Sequence, residues 1–195
     1  MTRIAAFLLG AALTAAPALA QIGNPAGMAP DTRLDEPGKP APHQTNTQDR
    51  LFAQLAAAGG LAEVQLGEMA RDKAEAESVR DFAAMMVEDH GAANARLAEL
   101  AEAVRIPLPQ EPAPDQQALR ERLEAAERTA FDLAYVRAQV VEHQKTAQLL
   151  AWEVGQGQDG EIQRFAAEQL PVVLGHLEQA QRLNAELSGA GGPAR

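Results

Sequence analysis

The chain has 195 residues, contains no cysteine and carries a formal net charge of −10 at pH 7. Without cysteine it can have neither a disulfide framework nor a lipid-modified cysteine, so packing alone must stabilise the fold. The negative charge argues against nucleic acid or an anionic membrane surface as a partner and favours cations.

Residues 1–20 have the composition of a secretory signal peptide. Arg3 supplies an early positive charge, residues 4–19 are predominantly apolar, and Ala18-Leu19-Ala20 is typical of a cleavage site. The alternative is a retained membrane anchor, but the apolar run is shorter than the ~20 residues that a span needs. We therefore expect a mature chain without a membrane span, exported to the periplasm or secreted.

The next segment, residues 21–46, is predicted to be a disordered linker. Prolines recur in it among small and polar residues, at Pro25, Pro30, Pro37, Pro40 and Pro42. His43 lies in this segment and is expected to be solvated. At the other end, the glycine-rich residues 189–195 are predicted to be a flexible tail. One domain is expected between them, over residues 47–188.

Apolar residues recur within this domain at alternating spacings of three and four, which is the pattern of amphipathic helices. The proline-rich residues 106–114 must interrupt any helix there. The pattern predicts four helices, at residues 49–73, 78–105, 115–154 and 159–187. The third helix is predicted to bend near residues 127–129. No stretch alternates as a strand would. We therefore predict an all-α domain, an up-and-down four-helix bundle.

Two adjacent glycines, Gly59 and Gly60, lie inside the first predicted helix. Each weakens a helix interior by about 1 kcal/mol relative to alanine. The pair therefore either permits close packing against a neighbouring helix or marks a kink. The sequence leaves both interpretations open.

Three histidines lie near the middle of predicted helices, each on the apolar stripe: His90, His143 and His176. Because antiparallel neighbours in a bundle share a midpoint, these side chains should meet at about one level. Glu63 is the charged residue on the stripe of the first helix. Burying several imidazoles costs desolvation free energy that apolar residues would avoid, which favours a functional role. We predict a metal site whose ligands are Glu63, His90, His143 and His176.

Carboxylate and imidazole ligands suit iron, manganese, zinc or copper(II) better than calcium or magnesium. Asp89 and Glu142 each precede a histidine and are candidates to hydrogen-bond an imidazole around the site. Met86, one turn before His90, is a candidate thioether neighbour that would suit copper(I). The alternative is an envelope structural or interaction module, in which the histidines are hydrogen-bonded core residues and no metal binds.

The segments that lead to His90 and His143 are similar to each other. Both have an aromatic residue eight positions before the histidine, a valine three before and an acid immediately before. Beyond these patterns, the sequence contains no nucleophile paired with a base, no glycine-rich phosphate loop and no thiol. It therefore assigns no reaction to the protein.

Several segments together resemble a known family. They are residues 59–67, Met86-Val87-Glu88-Asp89-His90 with Asn94, Phe131-Asp132 with Ala134-Tyr135 leading to His143, and Leu170-Pro171 before His176. Over about residues 48–187 the chain resembles the exported bacterial family catalogued as domain of unknown function 4142. The resemblance implies a ferritin-like four-helix bundle behind a signal peptide and brings no established activity.

The chain departs from the di-iron carboxylate pattern of ferritin-like proteins. Those proteins place a glutamate three residues before each ligating histidine. The corresponding positions here are Val87, Val140 and Val173. We therefore expect a mononuclear site and no ferroxidase-type di-iron centre.

Overall fold

The computed structural model describes residues 44–189, which form five α-helices and no β-strand. The helices are α1 (Thr47–Lys73), α2 (Glu77–Ala103), α3 (Pro114–Ala125), α4 (Arg128–Gln156) and α5 (Gly160–Leu187). The prediction of an all-α domain is confirmed. The predicted signal peptide, the linker up to residue 43 and the tail from residue 190 lie outside the described residues. Within them, no helix has both the length and the apolarity needed to cross a membrane.

The prediction of four helices is corrected to five, because the third predicted helix is two separate helices. Between α3 and α4, Ala126 and Glu127 are extended, with ψ near 148° at both. Arg128 then has a φ of +54°. Extended residues cannot continue the helical hydrogen-bond ladder, so the chain changes direction here. The short helix α3, whose one fully buried residue is Leu123, packs against α1 and α4.

The four long helices pack around a shared interior. α1 lies along α2, and α4 lies along α5; in addition α1 contacts α4, and α2 contacts α5. Their inward faces form two clusters of buried apolar residues. The first cluster contains Met86, Phe82 and Tyr135, and the second contains Phe52, Leu150 and Phe165. The middle of each of α2, α4 and α5 lies between these two clusters.

A buried aspartate near the start of α4 holds the connection between α1 and α2. The backbone N–H groups of Glu75 and Ala76 donate to the two carboxylate oxygens of Asp132, at 3.1 and 2.8 Å. Both N–H groups lie just before the first residue of α2, so no carbonyl of that helix is available to accept from them. Asp132 therefore satisfies them and places the start of α4 beside the start of α2, so that these two helices run in the same direction.

A second buried aspartate holds the connection between α4 and α5 at the opposite end of the domain. Asp49, in the first turn of α1, accepts from the backbone N–H groups of Gln158 at 2.7 Å and Asp159 at 3.1 Å. Because these residues connect α4 to α5, α4 ends beside the point where α1 begins. The two helices are therefore antiparallel.

Glycines let α2 approach α1 closely. A Cβ atom at Gly67 would lie 2.8 Å from Val87 Cγ2 and 3.0 Å from the Ala83 carbonyl oxygen. At Gly60 it would lie 1.8 Å from the side-chain oxygen of Asn94. α1 continues through both positions, so close packing is the interpretation that accounts for Gly60. At Gly59 an added Cβ would meet only Gln116 Nε2, at 3.6 Å.

Candidate metal centre

The three histidines meet in the space between the two apolar clusters. His90 on α2, His143 on α4 and His176 on α5 are 8%, 1% and 5% exposed. Their ring centroids are separated by 5.5, 5.6 and 5.4 Å. One ring nitrogen of each lies within 4.8 Å of those of the other two. The helical pattern placed each histidine on an inward stripe, and the helix packing brings all three to one level.

Hydrogen bonds fix which ring nitrogen carries the proton in two of the histidines. His143 Nδ1 lies 2.9 Å from the carbonyl oxygen of Gln139, which can only accept, so Nδ1 donates and Nε2 keeps a lone pair. His176 Nε2 lies 2.8 Å from Asp89 Oδ2. A carboxylate likewise accepts, so in the neutral ring Nε2 donates and Nδ1 keeps the lone pair.

One nitrogen of each of the three rings has no hydrogen-bond partner in the described part of the chain. Within residues 44–189 none is found for His90 Nε2, His143 Nε2 or His176 Nδ1, all of which are buried. Most buried polar atoms in proteins are paired, so three unpaired ring nitrogens in one group need a physical explanation. Ring nitrogens without partners, gathered in this way, match what a metal ion requires of its ligands.

Burial keeps two of these rings neutral. Burial and then the nearby His143 and His176 lower the pKa of His90 to about 3. Burial and then His176 lower the pKa of His143 to about 4, although the hydrogen bond to the Gln139 carbonyl acts in the opposite direction. A neutral imidazole is the form that binds a metal ion.

Glu63 lies beside the histidine group and not within it. Gln139 Nε2 donates to Glu63 Oε2 at 2.7 Å, and Glu63 Oε1 lies 4.0 Å from His143 Nδ1. That nitrogen already donates to a carbonyl on a neutral ring, so the 4.0 Å contact is not an ion pair. Burial raises the pKa of Glu63 to about 7, with Gln139 acting against the rise and Glu142 adding to it. Glu63 as a metal ligand stays a prediction.

The three residues predicted to lie around the site, Asp89, Glu142 and Met86, contact different groups. Asp89 hydrogen-bonds to His176, which lies on another helix, and not to the adjacent His90. Glu142 accepts from Lys145 Nζ at 2.7 Å, toward the surface. Met86 is fully buried in the first apolar cluster. Of these three, only Asp89 is hydrogen-bonded to a histidine in the described part of the chain.

Gln139 and Tyr135 were not among the site residues predicted from the sequence. Gln139 is fully buried, one turn before His143, and contacts both that ring and Glu63. Tyr135 is also fully buried, and burial together with Glu63 raises the pKa of its phenol. A polar residue on the inward stripe one turn before a histidine was the available signal for Gln139.

A family model described as "Domain of unknown function (DUF4142)" matches residues 34–183. The chain belongs to the DUF4142 family. This match confirms the family that the resemblance of the sequence indicated. No curated protein matches the chain.

Two solved structures resemble this DUF4142 chain. One is a DUF305 protein from Streptomyces coelicolor, described as predicted to be secreted, with a TM-score of 0.63 and 15% identity; the match covers 72% of this chain and 94% of that one. The other is a DUF305 fragment from Deinococcus radiodurans, with a TM-score of 0.65 and 12% identity; the match covers 75% of this chain and 99% of that one. At such identities the likeness shows the fold alone.

Proposed function

We propose that this domain binds one transition-metal ion through His90, His143 and His176. The observation that carries the proposal is the group of three buried ring nitrogens without hydrogen-bond partners in residues 44–189. Histidines that bind metals commonly donate their other ring N–H to a carboxylate or a backbone carbonyl. Asp89 and the Gln139 carbonyl accept such bonds from His176 and His143.

The separation of the nitrogens is compatible with one shared ion. A metal–nitrogen bond of about 2.0–2.1 Å keeps two ligand nitrogens within about 4.2 Å of each other. One ring nitrogen from each histidine lies within 4.8 Å of those of the other two, so small rotations of the rings would bring three nitrogens into range. Three imidazoles suit zinc, copper(II), iron or manganese, and three protein ligands leave a further coordination position open. Glu63 adjoins this set and is the candidate for an additional ligand.

We further propose a ferritin-like topology for the four long helices. α2 and α4 run in the same direction, which requires one long connection between them, and α3 lies within that connection. One long crossover is a feature of ferritin-like bundles. The positions three residues before the histidines hold Val87, Val140 and Val173, so the proposed centre is mononuclear.

Export forms part of this proposal. The signal pattern in residues 1–20 and the proline-rich residues 21–46 favour a folded domain released outside the cytoplasm behind a linker. The similar Streptomyces protein, described as predicted to be secreted, agrees with this proposal. Sequencing the N terminus of the exported chain tests it, with Gln21 expected as the first residue.

The alternative of an interaction module with structural histidines has less support. Core histidines that only stabilise a fold are expected to form hydrogen bonds through both ring nitrogens, or to expose one ring nitrogen to water. None of the three unpaired nitrogens does so among residues 44–189.

Elemental analysis of the full chain, expressed with its own leader, tests metal binding. We expect about one metal ion per chain, and its loss in H90A, H143A and H176A with helical content retained by circular dichroism. H43A provides the matched control, because His43 is the remaining histidine of the chain and belongs to the segment predicted from the sequence to be a linker. Wild-type protein that takes up none of zinc, copper, iron or manganese would refute the proposal.

A further inference from the structure

A small cavity adjoins the histidine group. It has a volume of about 60 Å³ and lies between α1, α2, α4 and α5. His90 and Glu63, both buried, line one end of it, whereas the exposed Leu55 and the half-buried Leu149 line the other. The cavity therefore connects the surface beside α1 and α4 with the ring of His90.

The volume limits what the cavity can hold. An apolar cavity of about 150 Å³ accommodates benzene, and one water molecule occupies about 30 Å³ in the liquid. A cavity of about 60 Å³ therefore has space for a molecule of about two or three heavy atoms. A molecule the size of an aromatic ring is too large.

The walls of the cavity are mainly apolar, with a few polar groups. Leu97, Phe165 and Val173 supply the apolar surface, and Asn94 supplies an amide opposite α1. The absence of a side chain at Gly60 leaves room for that amide, because a Cβ there would lie 1.8 Å from Asn94 Oδ1. Mainly apolar walls with a few polar groups are typical of a pocket that binds a small ligand.

We propose that this cavity admits a diatomic or triatomic ligand to the open coordination position of the metal ion, and that it excludes larger molecules. This inference depends on the proposed three-histidine metal site. The chemical class is a lone-pair donor of two or three heavy atoms, the size of dioxygen or hydrogen peroxide. His90 connects the two features, since it belongs to the histidine group and also lines the cavity.

The test uses the full chain loaded with cobalt(II), whose visible spectrum responds to a new ligand. Azide, which is linear and triatomic, is expected to bind and change the spectrum. Imidazole, a good ligand but a ring, is expected to leave it unchanged. Ala93 lines the cavity and the adjacent Ala92 is exposed, so A93L and A92L form a matched pair. We expect A93L to weaken azide binding at least about tenfold and A92L to leave it unchanged.

The outcomes separate this inference from the metal proposal. Cobalt binding without a response to azide, or equal azide affinity in A93L and A92L, would overturn the cavity's role and leave the metal site standing. Binding of imidazole as tight as that of azide would overturn the size limit. Failure of the wild type to bind cobalt and each of zinc, copper, iron and manganese would overturn both. The smaller change A93V guards against misfolding; if A93L and A93V both lose cobalt, the cavity assignment is wrong.

Discussion

Asp89 on α2 and His176 on α5 are joined by a hydrogen bond of 2.8 Å between Oδ2 and Nε2. The bond crosses between two helices, and it leaves Nδ1 of His176 as the nitrogen that can accept a metal ion. The carboxylate next to His90 in the sequence therefore orients a different histidine.

We expect D89N to weaken metal binding by about 10–100-fold, because the amide is a poorer acceptor and orients His176 less well. Competition titration with a chelator of known affinity measures this effect. E88Q is the matched control, since Glu88 is the adjacent acid and is exposed. Unchanged affinity in D89N would show that Asp89 does not orient a metal ligand.

Substitution of two glycines in α1 by alanine should have opposite effects. In G67A the new Cβ would lie 3.0 Å from the Ala83 backbone oxygen, which cannot move without shifting α2. We expect a loss of about 1–3 kcal/mol in the free energy of unfolding. In G59A the new Cβ makes only an ordinary contact, so the better helix propensity should add up to about 1 kcal/mol. Urea unfolding measures both. A loss of stability in G59A as large as that in G67A would contradict the close-packing interpretation.

The carboxylate of Asp132 should stabilise the connection between α1 and α2. D132A leaves the N–H groups of Glu75 and Ala76 without their acceptors, and we expect it to lower the free energy of unfolding by about 1–3 kcal/mol. D132N keeps one acceptor oxygen and should lose less. D81A, at an exposed site, should change stability by no more than about 0.5 kcal/mol. Equal stability of D132A and D81A in chemical denaturation would show that these hydrogen bonds contribute nothing.

A buried carboxyl group at the other end of the domain should make stability depend on pH. Neither oxygen of Glu153 has a hydrogen-bond partner among residues 44–189. Burial, then the adjacent Asp49 and Asp159 carboxyl groups, raise the pKa of Glu153 from 4.5 to about 9. Between these values the folded protein holds a proton that the unfolded chain has lost. The free energy of unfolding therefore decreases as pH rises through this range.

E153Q, which stays neutral, should lose less stability than wild type between pH 7 and pH 9. That window lies above the ordinary histidine pKa of about 6.5. The raised pKa of Glu63, about 7, lies at its lower edge and is the same in both proteins, so the difference between wild type and E153Q reports on Glu153. Urea unfolding of metal-free protein at both pH values gives the comparison, with E99Q as an exposed control. An identical decrease in wild type and E153Q would show that Glu153 is not protonated in the folded state.

Contacts between residues far apart in the sequence account for what the sequence analysis did not predict. The boundary between α3 and α4 contains no proline or glycine, so nothing local predicted more than a bend there. Asp49 and Asp159 lie at helix starts, where acidic residues ordinarily face water. Their burial, and that of Glu153, follows from the way the ends of α1, α4 and α5 meet.

The sequence by itself determined the helical class and the histidine group, because helical periodicity is local: the spacing of apolar residues decides which face of a helix is buried. That was enough to bring His90, His143 and His176 inward at one level. Only the tertiary structure decided what each ring faces. The direction of a side chain depends on neighbours from other helices, and these neighbours turned His176 toward Asp89 and paired Glu63 with the side-chain amide of Gln139.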